Sequence, residues 1–220
     1  GLHKRDHIRA ISHMERVAAV WVEEHGRPCS EADVEAMFER FVPLQLEVLA
    51  DHAQLIPEVP LAQASFRRRG LAIGTTTGYN RQMMDVLVPL AKRQGYEPDH
   101  VVCASEVPAG RPAPWMALRN AEHLGIYPLE ACVKIGDTPS DIAEGLNAGM
   151  WSVGVVMSSN ELGMSPDEIR RADSSELERR KEWARGRMLG AGAHFVVDAL
   201  SDINGVLDEI GERLKRGERP

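Results

Sequence analysis

From Lys4 to about His52 the apolar positions fall at helical spacing and no strand-like alternation occurs. Ile8, Ile11, Met14, Val17, Ala18 and Trp21 recur three or four residues apart, which places them on one face of a helix. Gly26-Arg-Pro28 breaks that helix. Ser30 is placed to start another, with Val34, Met37, Phe38 and Phe41 on its inner side. Pro43 is expected to end or kink it before a further helical stretch through Leu49. Residues 1–52 therefore read as a small all-helical domain.

From about Leu55 the pattern changes to short apolar runs alternating with amphipathic ones. Leu71–Thr77 reads as a buried strand after a basic surface turn, Arg67-Arg-Arg-Gly70. A helix over Arg81–Gln94, a strand over His100–Cys103 and a helix over Pro114–Leu124 follow. Next come a strand over Cys132–Ile135, a helix over Pro139–Ala148 and a strand over Trp151–Val156. Ser165–Leu189 is a charged helical insertion, His194–Val197 a last strand and Asp202–Leu214 a last helix. Strands separated by helices of this length imply right-handed crossovers. The fold class is α/β, a doubly wound parallel sheet covered on both faces over residues 53–220.

Composition narrows the function classes. With 26 Lys+Arg against 33 Asp+Glu the net charge is −7, which argues against a general nucleic-acid binder. No apolar run approaches the ~18 residues needed to span a bilayer, so no membrane partner is expected. Cys29, Cys103 and Cys132 form no close pair and read as thiols in a reducing cytoplasm.

In such a sheet, ligands sit at the carboxyl ends of the strands. After the first strand come Thr75-Thr-Thr77-Gly78-Tyr79, whose hydroxyls and flexible backbone suit a phosphate. Thr and Gly are equally ordinary in strands and turns. After the second strand Arg111 precedes a proline-marked helix start, where it can hold an anion or simply face solvent. After the third, Gly136-Asp137-Thr138-Pro139-Ser140-Asp141 has Thr138 placed as a helix cap and Asp141 placed to complete a capping box. Capping leaves Asp137 unexplained. A carboxylate beside a phosphate pocket is repulsive unless a cation bridges them, and oxygen ligands suit Mg²⁺.

These strand ends, in this order, resemble the haloacid dehalogenase superfamily: a strand-terminal Thr77, a basic Arg111 before a Pro-containing helix, and Gly136-Asp137-x-x-x-Asp141. Gly74-Thr-Thr-Thr-Gly-Tyr79, Arg81-Gln-Met-Met-Asp85, Val107-Pro-Ala-Gly-Arg-Pro112, Trp115-Met116 and Asn147-Ala-Gly-Met-Trp151 are similar to the phosphonoacetaldehyde hydrolase (phosphonatase) family. The resemblance runs from Gly1 to about Ile210. It implies a Rossmann-like core with a helical cap, homodimerisation through that cap, and hydrolysis of the carbon–phosphorus bond of a small phosphonate. It assigns Thr77, Gly78, Tyr79 and Arg111 to the substrate and Asp137 and Asp141 to Mg²⁺.

Gly1-Leu2-His3-Lys4-Arg5-Asp6-His7 matches the setting of the family's cap lysine, which forms a Schiff base with the aldehyde. The positive helix end and Arg5 both disfavour a protonated Lys4, and His7, one turn along, is placed to shuttle protons. The family's first motif, Asp-x-x-Gly-Thr, supplies its nucleophile on a central strand. No such element occurs in the 220 residues, which begin without Met. The sequence is accordingly expected to start inside a longer product, to lack the first strand and not to complete the reaction alone. A phosphate-monoester hydrolase or mutase on the same core, or a non-catalytic phosphate-binding chain, is the alternative.

Overall fold

The computed structural model describes residues 4–220. Gly1, Leu2 and His3 of the lysine motif lie outside the described residues. The N-terminal helical block begins with α1 (Lys4–Ser12) and α2 (Glu15–His25), where one continuous helix was expected. Met14 takes an extended conformation at the join, so Ile11 and Met14 are exposed rather than part of one buried stripe. Gly26 ends α2 at φ 67°, a conformation that glycine adopts without a Cβ penalty, and its N–H bonds the Val22 carbonyl.

Next, α3 (Glu31–Val48) starts where expected. The Ser30 side chain accepts the Asp33 N–H, and the Asp33 carboxylate accepts the Ser30 N–H at 2.8 Å. Pro43 does not end it: the helix runs through to Val48. Arg9 pairs with Glu31 and Arg5 with Glu35, and Val34 is buried beneath, so α1 lies along α3.

A helix not expected from the sequence, α4 (Val59–Arg68), fills the approach to the first strand. Arg67 and Arg68 of the basic run lie in its last turn, a favourable place for cations against the helix dipole, and Arg69 caps it. Then come β1 (Gly74–Thr77), α5 (Arg81–Arg93), β2 (His100–Cys103) and α6 (Trp115–His123). β1 starts three residues later than expected. Leu71–Ile73 stays out of the ladder because Asp99 takes the Ile73 N–H at 2.7 Å while paired to Arg67. The remaining elements are β3 (Val133–Gly136), α7 (Pro139–Asn147), β4 (Trp151–Val155), α8 (Pro166–Arg171), α9 (Ser174–Gly190), β5 (Phe195–Val197) and α10 (Ile203–Lys215). The charged insertion is thus two helices, the second capped by Asp173.

All strand pairings are parallel. Among the described residues the sheet is in two pieces, β1–β2 and β3–β4–β5. Strand alternation assigns the faces. Val133, Ile135, Trp151, Val153, Phe195 and Val197 pack with Phe66 of α4 and with Ile203 and Ile210 of α10. Lys134, Gly136, Ser152 and Gly154 fall on the opposite face, under α7 and α9. This is the doubly wound α/β arrangement expected. The facing edges of β1 and β3 are joined by side chains rather than by a backbone ladder, with Lys134 Nζ 2.8 Å from Thr76 Oγ1. No helix among the described residues is long and apolar enough to cross a membrane.

Candidate active site

The carboxyl ends of β1 and β3, together with the start of α1, collect every residue expected to carry chemistry. At the end of β1, Thr77 Oγ1 accepts the Tyr79 N–H at 3.1 Å, which leaves the hydroxyl proton available for an anion. Asn80 then caps α5, its Oδ1 accepting the Met83 N–H at 2.9 Å. The turn Thr77-Gly78-Tyr79 is therefore held at both sides, and it projects Tyr79 toward the helical block. Gln45 Nε2 of α3 lies 3.5 Å from the Tyr79 hydroxyl, and Lys4 Nζ of α1 lies 5.0 Å from the centre of the Tyr79 ring.

Lys4 is half-buried there, and that burial lowers the pKa of its amine. The cause differs from the one expected: Arg5 turns away to Glu35 and to the face of Phe38. His7 is more exposed. Its pKa is lowered by burial and by the Lys4 charge.

Arg111 departs most from expectation. Instead of standing at the start of α6, its guanidinium turns into the space between β1 and β3. Nε lies 3.1 Å from Asp141 Oδ1 and 2.9 Å from Glu144 Oε2, while Nη2 donates to the Thr76 carbonyl and hydroxyl, both at 2.6 Å. Lys134 Nζ approaches the same two carboxylate oxygens, at 3.1 and 2.7 Å. Thr76, Lys134 and Glu144 were not read from the sequence as site residues. Their signals were present: a lysine inside an otherwise apolar strand, and a glutamate one turn after Asp141 on the inward face of α7.

Asp141 is buried beside β3. It fits only because residue 136 is glycine, since a Cβ there would overlap the Asp141 Cβ. Only half of the expected capping box forms. The Asp141 N–H bonds Thr138 Oγ1, but the Asp141 carboxylate takes the Thr138 hydroxyl at 2.6 Å and not its backbone N–H. Burial alone would raise the Asp141 pKa; Lys134 and Arg111 outweigh it and hold the group down at about 2. Asp137 accepts from Asn160 N and Nδ2, at 3.2 and 2.9 Å, both on Oδ2. Its pKa is raised by burial and then by the negative charge of Asp141.

Two carboxylates that repel one another at the mouth of a sheet fit a divalent cation. Mg²⁺ commonly takes one or two carboxylates, with water and substrate oxygens completing its shell. Asp137 is the freer donor, because Asp141 Oδ1 already faces two cations. Among the described residues no group of three or more His, Cys, Asp or Glu side chains forms a protein-only cage.

Comparison with known proteins gives the family. Residues 4–149 match the haloacid dehalogenase-like hydrolase family. A phosphonoacetaldehyde hydrolase-like protein of Syntrophobacter fumaroxidans is 49% identical over 221 residues, covering 100% of this chain and 79% of the relative. A phosphonoacetaldehyde hydrolase of Bacillus thuringiensis is 45% identical over 210 residues, covering 96% of this chain and 80% of the relative. The crystal structure of a phosphonoacetaldehyde hydrolase-like protein from Oleispira antarctica superposes with a TM-score of 0.95 at 37% identity. That match covers 100% of this chain and 80% of the other. With a family match over most of its length and relatives this similar, the chain belongs to the phosphonoacetaldehyde hydrolase family of haloacid dehalogenase-like hydrolases.

Proposed function

We propose that this hydrolase acts on phosphonoacetaldehyde, releasing acetaldehyde and phosphate, and that Lys4 activates the aldehyde as a Schiff base. The observation that carries the reading is the meeting of Lys4 with Tyr79. An amine half-buried against an aromatic ring, with a lowered pKa, sits beside the turn suited to a phosphoryl group. A neutral Lys4 adds to the aldehyde carbon and water leaves. The resulting iminium accepts the electron pair of the C–P bond, giving an enamine, as an oxygen nucleophile that these residues do not supply bonds to phosphorus; water then releases that phosphoryl group as phosphate. Protonation at carbon and addition of water return acetaldehyde and the free amine. His7, beside Lys4, moves the protons these steps need.

Arg111, Thr77 and the backbone around Gly78 bind the phosphoryl oxygens, and Tyr79 closes the aldehyde end of the site. Asp137 and Asp141 would hold Mg²⁺, which when bound supplies positive charge against the phosphoryl oxygens. No Asp-x-x-Gly-Thr stands in the 220 residues, so the steps assigned to this chain are binding, orientation and activation of the aldehyde.

Residues 1–52 form the cap in this reading and residues 53–220 the core. The exposed Met14, Val20, Val22 and Leu44 of the helical block support a homodimer formed through that cap. Three free cysteines fit a reducing, cytoplasmic setting. Replacing Lys4 with arginine tests the reading: the charge stays, the Schiff base cannot form, and the adduct that borohydride traps from phosphonoacetaldehyde should disappear. A phosphate-monoester hydrolase or mutase on this core would give no such adduct with either protein.

A further inference from the structure

Arg111, Lys134, Asp141 and Glu144 form a closed ring between β1 and β3 in which cation and carboxylate alternate and the charges cancel. Glu144 is the most deeply placed, with none of its surface exposed. Its Oε2 takes Arg111 Nε, Lys134 Nζ and the Thr76 hydroxyl, at 2.9, 2.7 and 3.0 Å, while Oε1 is buried without a hydrogen-bond partner. A carboxylate so far from water, with one oxygen unsatisfied, is costly, and an apolar residue of similar volume often does better where packing is the sole demand. What the carboxylate accomplishes is geometric. A guanidinium is a rigid planar fork, so fixing Nε on Glu144 and Nη2 on Thr76 sets its whole plane. Nη1 makes no hydrogen bond among the described residues and is the donor left for an incoming oxygen.

We propose that Glu144 is a positioning residue: its buried carboxylate holds the Arg111 fork against the end of β1, with Lys134 as the counter-ion that lets the charge stay buried. The proposal rests on the reading of Arg111 as a phosphoryl-binding group. Without the Glu144 charge, Arg111 and Lys134 share the single carboxylate of Asp141. Both are then drawn to Asp141 Oδ1, and the fork leaves Thr76.

The test is the affinity of the protein for inorganic phosphate, measured by calorimetry beside its thermal midpoint. Wild type binds phosphate, and Arg111→Ala weakens binding by about tenfold or more. Glu144→Gln, of the same shape without the charge, weakens it to a similar degree. Glu144→Asp, which restores the charge on a shorter arm, recovers most of the affinity. Should Glu144→Gln fail to fold, the double variant Lys134→Met/Glu144→Gln removes one charge of each sign and decides in its place. Weak phosphate binding by that variant supports the proposal, and wild-type affinity overturns it. Wild-type affinity in Glu144→Gln also overturns it, however far the midpoint falls. Phosphate bound equally well by Arg111→Ala overturns it too, by removing Arg111 from the phosphate site. Failure to trap an imine on Lys4 with this affinity pattern intact would instead sink the proposed reaction and leave the positioning role standing.

Discussion

Lys4 Nζ stands 5.0 Å from the centre of the Tyr79 ring, so the first helix of the chain meets the turn that follows β1. Two effects of that ring oppose each other. Its bulk excludes water and disfavours the ammonium, while its π-face attracts it. At a half-buried site the cation–π attraction amounts to about 1–2 kcal/mol, and burial lowers the amine pKa. Tyr79→Ala should therefore move the pH midpoint of imine formation at Lys4 upward. Tyr79→Leu, which keeps much of the bulk and loses the π-face, should move it further down. The rate of imine formation against pH, followed with a small aldehyde, reads both shifts.

Arg111 is neutralised by two buried carboxylates and bonds the Thr76 backbone through a second edge. Arg111→Ala leaves Asp141 and Glu144 with Lys134 alone, one uncompensated buried charge. A loss of about 3–5 kcal/mol of stability is expected, read as a lower urea midpoint. Arg111→Lys should recover only part of it, because an ammonium cannot bridge the carboxylates and the Thr76 carbonyl in one plane.

Asp137 is pushed up in pKa by burial and by Asp141. Its folded pKa lies above its unfolded value, so it favours the fold below the unfolded pKa and loses that contribution as pH rises through the folded one. At neutral pH the ionised group works against the fold. Asp137→Asn should raise the thermal midpoint in chelator at pH 7 and abolish the stabilisation that added Mg²⁺ gives the wild type. Thermal melts with EDTA and with Mg²⁺ separate the two effects.

His194 supplies a pH dependence remote from the site. Its Nδ1 accepts the Ser152 N–H at 2.9 Å, and its pKa is lowered by burial and by the Arg213 charge. The unfolded chain takes up a proton near the ordinary histidine pKa of about 6.5, where the folded one does not. Stability is thus intact above that pH and falls as pH drops below it, down to the folded pKa. In His194→Gln the fall in urea midpoint between pH 7 and 5 should be shallower.

Much of the core was legible because its strands carry a strong local pattern. His100–Cys103 is a strand with the bounds expected, and α5, α6 and α7 match their expected helices to within a residue or two. The misses have identifiable causes. α4 was hidden because its last turn, Arg67-Arg68, reads as a surface turn by composition, although Ala62 and Phe66 supply an inward face. Pro43 did not stop α3 because one missing N–H and a local clash are outweighed when the flanking turns pack. The position of Arg111 could not be read locally at all. It depends on Lys134, Asp141 and Glu144, which come from two other elements, and no periodicity records a charge balance assembled across the fold.

The most direct test of the central claim is borohydride reduction of the protein in the presence of phosphonoacetaldehyde, followed by peptide mass spectrometry. A reduced adduct confined to Lys4, and absent from Lys4→Arg, is the predicted result. Its mass further separates an intact phosphonoethyl group from the ethyl group left after C–P cleavage. Failure to trap any adduct on Lys4, or labelling spread over surface lysines with Lys4 no more reactive than the rest, would contradict the Schiff-base account.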